Sequence, residues 1–167
     1  MQHCLSIVVC LFSISTELLT AAPVSSNRSD ETIPRLKYEA VPDFFQLPTG
    51  ENFVEVAAVA INSKGHVYVF HRGKHPLMEF DASGKFIRSI ADDLFVTAHT
   101  VRVDAEDNIW TTDVGAHVVL KLNPESRVLL AFDRMRISGD DVLHFNQPTD
   151  VAFDREGNIY GGAIREC

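Results

Sequence analysis

Residues 101–127 read VRVDAEDNIWTTDVGAHVVLKLNPESR, and two other segments of the chain repeat their pattern. VAINSKGHVYVFHRGKHPLMEFDASGK begins at Val59 and VAFDREGNIYGGAIREC begins at Val151. Val59, Val101 and Val151 stand in register, followed by the turn residues Gly65, Asp107 and Gly157. Val67, Ile109 and Ile159 come next, and then the aromatics Tyr68, Trp110 and Tyr160. His75 matches His117, and Asp81 matches Asn123. The offsets are 42 residues (59 to 101) and 50 residues (101 to 151), the period of a unit of four short strands plus a variable connection.

The first unit shows what each part does physically. Val59 to Ile61 is a strand with alternate apolar positions, Asn62-Ser63-Lys64-Gly65 is a turn whose glycine can take positive φ, and His66 to His71 alternates again. Leu77 to Phe80 forms a third strand, Asp81-Ala82-Ser83-Gly84 a turn, and Phe86 to Ile90 a fourth strand. Four antiparallel strands at this period describe one blade of a β-propeller. A two-sheet sandwich also uses short strands, but has no reason to repeat turn and aromatic positions at a fixed interval. The expected fold is therefore all-β, an incomplete propeller arc of about two and a half blades, with repeats near 56–90, 98–132 and 148–167.

Composition narrows the partners. The net charge is −8, from 15 Lys+Arg against 23 Asp+Glu, so a surface that neutralises nucleic-acid phosphates is not expected. The hydrophobic and charged fractions, 46% and 23%, are those of a globular domain. Leu5 to Ile14 is an uncharged apolar run, too short to span a bilayer and suited to the core of a signal peptide, with Thr20, Ala21 and Ala22 at the cleavage region. Residues 1–22 thus read as a signal peptide for secretion or periplasmic export, or as an upstream stretch from a misplaced start codon. Residues 23–40 read as a flexible leader, and 41–167 as the domain. Asn27-Arg28-Ser29 is a glycosylation sequon. With Cys4 and Cys10 in the signal, only Cys167 remains, so neither an intrachain disulfide nor a cysteine zinc site is expected.

Asp104-Ala105-Glu106-Asp107-Asn108-Ile109-Trp110-Thr111-Thr112-Asp113 resembles an NHL repeat. Val67-Tyr68-Val69-Phe70-His71-Arg72-Gly73, Thr112-Asp113-Val114-Gly115-Ala116-His117 and His144-Phe145-Asn146-Gln147-Pro148-Thr149-Asp150-Val151-Ala152 resemble, in that order, the lyase domain of peptidylglycine amidating enzymes and its bacterial relatives. The resemblance implies a six-bladed propeller that splits a peptidyl-α-hydroxyglycine into a peptide amide and glyoxylate. Six such blades need about 270 residues, against 167 present, so on this resemblance the chain reads as an N-terminal portion. It places Arg72 on the arginine that holds the substrate, His99 on a zinc-ligating histidine, and Val59 and Val101 on residues whose backbone carbonyls bind a structural calcium. The family's other zinc histidines, its catalytic tyrosine and its calcium aspartate belong to later blades, so zinc and calcium are implied with an incomplete set on this chain.

The same residues have structural readings of their own. Arg72 can stack on Tyr68 or pair with Asp81 or Glu79, and His99 can be a hydrogen-bonded strand histidine. His71, His75 and His117 suit structural roles around a turn, Asp113 and Asp150 suit carboxylates that bond backbone amides, and Trp110 suits packing between blades. Asp133 to Asp141 reads as a solvated loop, and Asp140-Asp141 is too short a cluster for a calcium loop. Walker, dinucleotide-binding, nucleophile-elbow and His-Glu-x-x-His signatures are absent. Two functions stand beside each other: a lyase acting on a small peptide-derived substrate, and a non-catalytic propeller that binds peptide or protein, with an inactive truncated product as a third reading.

Overall fold

The computed structural model describes residues 37–132, 134–139 and 144–163. The expected signal peptide, most of the expected leader, the sequon, all three cysteines and Asp140-Asp141 lie outside these residues. The chain divides at Glu39 and Ala40 into two units; of the first, only 37–39 are described, and they form no regular structure.

The described residues of the second unit form ten strands in three antiparallel sheets. β1 (Val56–Ile61), β2 (Val67–His71), β3 (Leu77–Phe80) and β4 (Phe86–Ile90) pair in chain order. β5 (Ala98–Val103), β6 (Ile109–Asp113), β7 (Val118–Leu122) and β8 (Val128–Phe132) do the same, and β9 (Pro148–Phe153) pairs with β10 (Ile159–Ala163). The described residues are thus two whole blades and two strands of a third. Among them no helix is long and apolar enough to cross a membrane.

One piece of turn chemistry, written three times, explains why the sequence repeats. The β1–β2, β5–β6 and β9–β10 turns begin at Asn62, Asp104 and Asp154. The Oδ1 of each accepts the amides two and four residues on: Lys64 and His66 (3.0 and 2.9 Å), Glu106 and Asn108 (3.1 and 2.8 Å), Glu156 and Asn158 (3.0 and 2.8 Å). The fourth turn residue must then adopt the left-handed conformation, at φ 79° for Gly65, 63° for Asp107 and 84° for Gly157; glycine takes it freely, and aspartate is among the residues that tolerate it. The aromatic two strand positions later reaches back to the residue that opened the turn. Trp110 Nε1 donates to Asp104 Oδ2 at 2.9 Å, Tyr160 Oη to Asp154 Oδ2 at 3.0 Å, and Asn62 Nδ2 to Tyr68 Oη at 3.3 Å. Asx residue, left-handed residue and polar-tipped aromatic form one hydrogen-bonded unit, so they recur together.

The sheets stack face to face. Tyr68 and Phe70 of β2 point toward the second blade and pack with Val101, Ile109, Val118 and Leu120, while Val69 points the other way with Met78 and Phe80. Both faces of β2 are therefore buried, so the alternation read over His66 to His71 does not divide the strand into an apolar face and a solvent face. Full burial of a ring such as Phe70 is worth roughly 2–3 kcal/mol. Ile109 serves the first interface and its neighbour Trp110 serves the next, with Val119 and Val151.

Register positions bury or expose according to whether a blade lies against them. Val101 and Val151 are 1% and 2% exposed because a preceding blade covers each, whereas Val59, with no described blade before it, is 58% exposed. On the far side Tyr160 is 58% exposed, against 1% for Tyr68 and 2% for Trp110. Residues 44–53 cross the other face of the first sheet, where Phe45, Leu47 and Phe53 pack on Val69, Met78 and Phe80. Gln46 donates to the Gly84 carbonyl at 2.8 Å. Gly84 has φ 82°, and a Cβ there would lie 1.9 Å from the Phe44 carbonyl oxygen, so no other residue fits. In the loop after β8, Arg134, Arg136, Ile137 and Ser138 are exposed, as expected of a solvated loop, while Met135 packs on the inter-blade core and Arg136 donates its amide to the Ala116 carbonyl.

Candidate functional site

The ends of β2 and β6 and the starts of β5 and β9 meet at the end of the sheets opposite the Asx turns. Two equivalent residues build this rim. Asp113, 1% exposed, accepts the amides of Val96 (2.6 Å), Thr97 (2.9 Å), Gly115 (2.9 Å) and Ala116 (2.8 Å). It clamps the approach to β5 onto the β6–β7 turn, the backbone role expected of it. In the first blade the same register position is His71, whose Nδ1 accepts the amides of Val54 (3.3 Å) and Gly73 (3.1 Å).

Because both partners of His71 are donors, Nδ1 carries no proton and the ring is neutral with its proton on Nε2. Nε2 is buried without a hydrogen-bond partner among the described residues, and the Phe53 ring packs edge-on against the imidazole at 5.4 Å. Burial pushes the pKa below the usual histidine value, and the two amides donating to Nδ1 hold the same neutral form. The neutral form is thus preferred in the folded state. Its contribution to stability is present above the unfolded value of about 6.5 and is lost as pH falls from there toward the lower folded value. Urea midpoints are expected to decline from pH 7.5 to 5.5, with a flatter profile for His71→Asn, whose Oδ1 can replace Nδ1. Equal slopes in the two proteins would exclude His71 as the cause.

Arg72 follows directly. Its Nε donates to the Ala98 carbonyl at 3.3 Å and its Nη1 to Glu55 Oε2 at 3.0 Å, and its side chain is 41% exposed. None of the partners expected for it, Tyr68, Asp81 or Glu79, is the one it takes: Tyr68 is buried in the inter-blade core. Asp81 caps its own turn through Ser83 and Lys85. Glu79 lies at the other end of the sheet, accepting from His66 (2.8 Å), Tyr68 (3.2 Å) and Arg88 (2.7 Å). Burial works against the Glu79 carboxylate, but those donors hold its pKa below the ordinary value, while burial and then the Glu79 charge push the Tyr68 phenol up to about 12. Arg88 also reaches the Pro124 carbonyl. This group lines a polar cleft of about 380 Å³ between the first two blades and fastens them together.

His99 is the residue after Ala98, so Arg72 and His99, from different blades, stand on one stretch of rim. The Nδ1 of His99 lies 2.8 Å from the Thr149 carbonyl. A carbonyl only accepts, so Nδ1 holds the proton and Nε2 is left as the basic nitrogen. Thr112 Oγ1 donates to the same carbonyl at 3.1 Å. Asp150 bonds its neighbour's amide, as expected, but its main partner is Arg102, in a two-pronged pair at 3.1 and 2.7 Å across β5 and β9. His75 pairs with Asp92 at 2.6 Å, whereas His117 accepts the Gln147 amide at 3.2 Å, so the two matched histidines do different work.

The fit of the implied metals is limited. A His99 imidazole with Nδ1 anchored on a carbonyl has the tautomer a zinc ligand needs, yet a zinc site takes at least three protein ligands. No group of three His, Cys, Asp or Glu is placed to hold a metal among the described residues. Val59 and Val101 occupy the same register on β1 and β5, opposite Val69 and Thr111, and a calcium there would find only their carbonyls. The described residues do not by themselves make either site. Glu55 carries no repeat or motif signal, and Thr149, though it falls within a motif, acts here through a backbone carbonyl that no side-chain pattern marks; only the folded backbone brings them here.

Repeated four-stranded antiparallel blades with this turn chemistry define the class of the protein: an NHL-like β-propeller chain. An inactive variant of virginiamycin B lyase from Staphylococcus aureus, solved with quinupristin, shares the fold with a TM-score of 0.54 at 11% identity, over 70% of this chain and 37% of that one. Peptidylglycine α-amidating monooxygenase of Rattus norvegicus is 32% identical over 127 residues, 60% of this chain and 13% of the rat protein. Peptidyl-α-hydroxyglycine α-amidating lyase 2 of Drosophila melanogaster is 27% identical over 170 residues, 84% of this chain and 42% of the fly protein. No family model matches the chain. Within the propeller class the chain is similar to these amidating enzymes, and it spans less than half the length of these two relatives.

Proposed function

We propose that this chain supplies part of the substrate wall of a peptidyl-α-hydroxyglycine amidating lyase, with Arg72 as the anchor for the substrate carboxylate. The observation that carries the reading is the position of the Arg72 guanidinium, half exposed at the rim and bonded to the carbonyl of Ala98, next to His99. A guanidinium fixed at one edge and open at another suits recognition of a carboxylate. The reaction breaks the C–N bond of the carbinolamide: the hydroxyl proton leaves oxygen as the carbonyl forms, and the amide nitrogen takes up a proton. Arg72 would hold the carboxylate end while this happens. His99 as one zinc ligand, and the Val59 and Val101 carbonyls as calcium ligands, belong to the same proposal and need partners beyond the described residues. We place the protein in the secretory or periplasmic space on the strength of the apolar run at 5–14.

Glyoxylate release from an α-hydroxyglycine peptide tests the reading. If the chain turns over, Arg72→Ala is expected to lower kcat/KM by about 100-fold, the scale of a lost charge-assisted contact of roughly 3 kcal/mol, and a variant as active as the parent would exclude the anchor. The second reading, a non-catalytic propeller that binds peptide, draws support from the existing partners of Arg72, which give it a structural role joining β2 to β5. Peptide binding without glyoxylate release, unchanged in Arg72→Ala, would favour it.

A further inference from the structure

Glu55 lies just before β1, yet its carboxylate returns to the Arg72 guanidinium at 3.0 Å. Its backbone has φ 46°, in the left-handed region that glutamate rarely adopts. The conformation is fixed on both sides. The Val54 amide bonds His71, the Val54 carbonyl accepts the Arg72 amide at 2.7 Å, and strand pairing begins at Val56 opposite His71. The carboxylate is therefore delivered to Arg72 by the fold. Its side chain is 68% exposed, so it can swing into water without stranding a buried charge.

A guanidinium has five N–H donors. Nε is committed to Ala98 and one Nη1 donor to Glu55. A ligand carboxylate gripping the outer edge of Arg72 through Nη1 and Nη2 finds one free donor on each, but it shares Nη1 with Glu55 and lies beside a second negative charge, so the two carboxylates compete for the guanidinium electrostatically. We propose that Glu55 is a built-in competitor for the anion site on Arg72, setting its selectivity for carboxylate ligands and returning to the guanidinium when one departs. The inference rests on the reading of Arg72 as a carboxylate anchor. In that reading the product carrying the carboxylate, glyoxylate, is the one that Glu55 would help to release, while the neutral peptide amide would not feel it.

The test is equilibrium binding of glycolate, a small unreactive α-hydroxy acid, to the full chain by NMR titration. An exposed ion pair of this kind is worth at most a modest factor, so Glu55→Gln is expected to bind glycolate about two- to fivefold more tightly than the parent. Arg72→Ala is expected to lose binding in either background. Glu55→Gly provides a second arm in which folding is protected, because glycine suits the positive φ; it too is expected to bind more tightly. Equal or weaker binding in both Glu55 variants, or no saturable binding to the parent at 0.1 M, would overturn the proposal. Tighter binding in the Glu55 variants without glyoxylate release from a peptide would retain the competitor and discard the lyase. Glyoxylate release with unchanged glycolate binding would do the reverse.

Discussion

Asp113→Ala is expected to lower the unfolding free energy by about 3–5 kcal/mol, one of the two largest losses from a single substitution in this chain. The carboxylate accepts four backbone amides, those of Val96, Thr97, Gly115 and Ala116, from a position 1% exposed. A hydrogen bond to a charged group contributes about 1.5–3 kcal/mol, and each buried donor left without a partner costs about 1–3 kcal/mol. Straight addition would exceed any ordinary single-site effect, so relaxation of the two loops toward water must recover part of it. Asp113→Asn keeps one acceptor oxygen but turns an NH2 group toward the amides, and should lie between alanine and the parent. The loss should reach the rim, because the clamped segment leads directly into Ala98 and His99. Urea denaturation at pH 7, with amide exchange across residues 94–98, reads both effects. A cost below 1 kcal/mol for alanine would mean that the loops are held by other contacts.

The repeat made the blades legible because each conserved spacing within the chain has a local cause. Asn62, Asp104 and Asp154 each organise a turn through one oxygen, and the aromatic that answers them must sit six residues on; sequence carries such short-range chemistry directly. The third strand, the second turn and the fourth strand of the first blade fall where alternation and the Asp81–Gly84 turn place them. Strand burial was less legible. His66 to His71 alternates in polarity, yet β2 lies between a neighbouring blade and residues 44–53, and both its faces are covered. The rim was harder still. Arg72 could be singled out by resemblance, but its partners lie 17 and 26 residues away, at Glu55 and Ala98, with no periodic relation to it. His71 shows the limit most clearly: it stands in register with Asp113, and a neutral imidazole doing a carboxylate's work is visible only when both sets of amide partners are known.

Trp110→Ala is expected to cost about 3–5 kcal/mol, the usual range for removing a large aromatic from a core, and to loosen the third sheet before the first two. The indole is 2% exposed. It stacks on Phe132 of its own blade at 6.3 Å between centroids and meets Phe153 of β9 at 4.9 Å. Val119 and Val151 complete the cluster, and Lys121 sits 4.9 Å from the ring centroid. Its Nε1 also holds Asp104. Burial draws the Asp104 carboxyl upward, but donors from Trp110, Asn108 and Lys121 outweigh it and keep its pKa at about 2. Loss of the indole therefore opens a cavity and removes one donor from a carboxylate that organises the β5–β6 turn. Trp110→Tyr should cost much less, about 1–2 kcal/mol, because Tyr160 already uses its hydroxyl to reach Asp154 from the equivalent position. Amide exchange separates the two consequences: protection in β9 and β10 should fall first, since Phe153 and Val151 lose their partner, while β2 and β3, packed on Phe45, Leu47 and Phe53 on the far side, should hold. Uniform loss of protection across all three sheets would show that the blades unfold as one cooperative unit and that Trp110 is not the local fastening of the third.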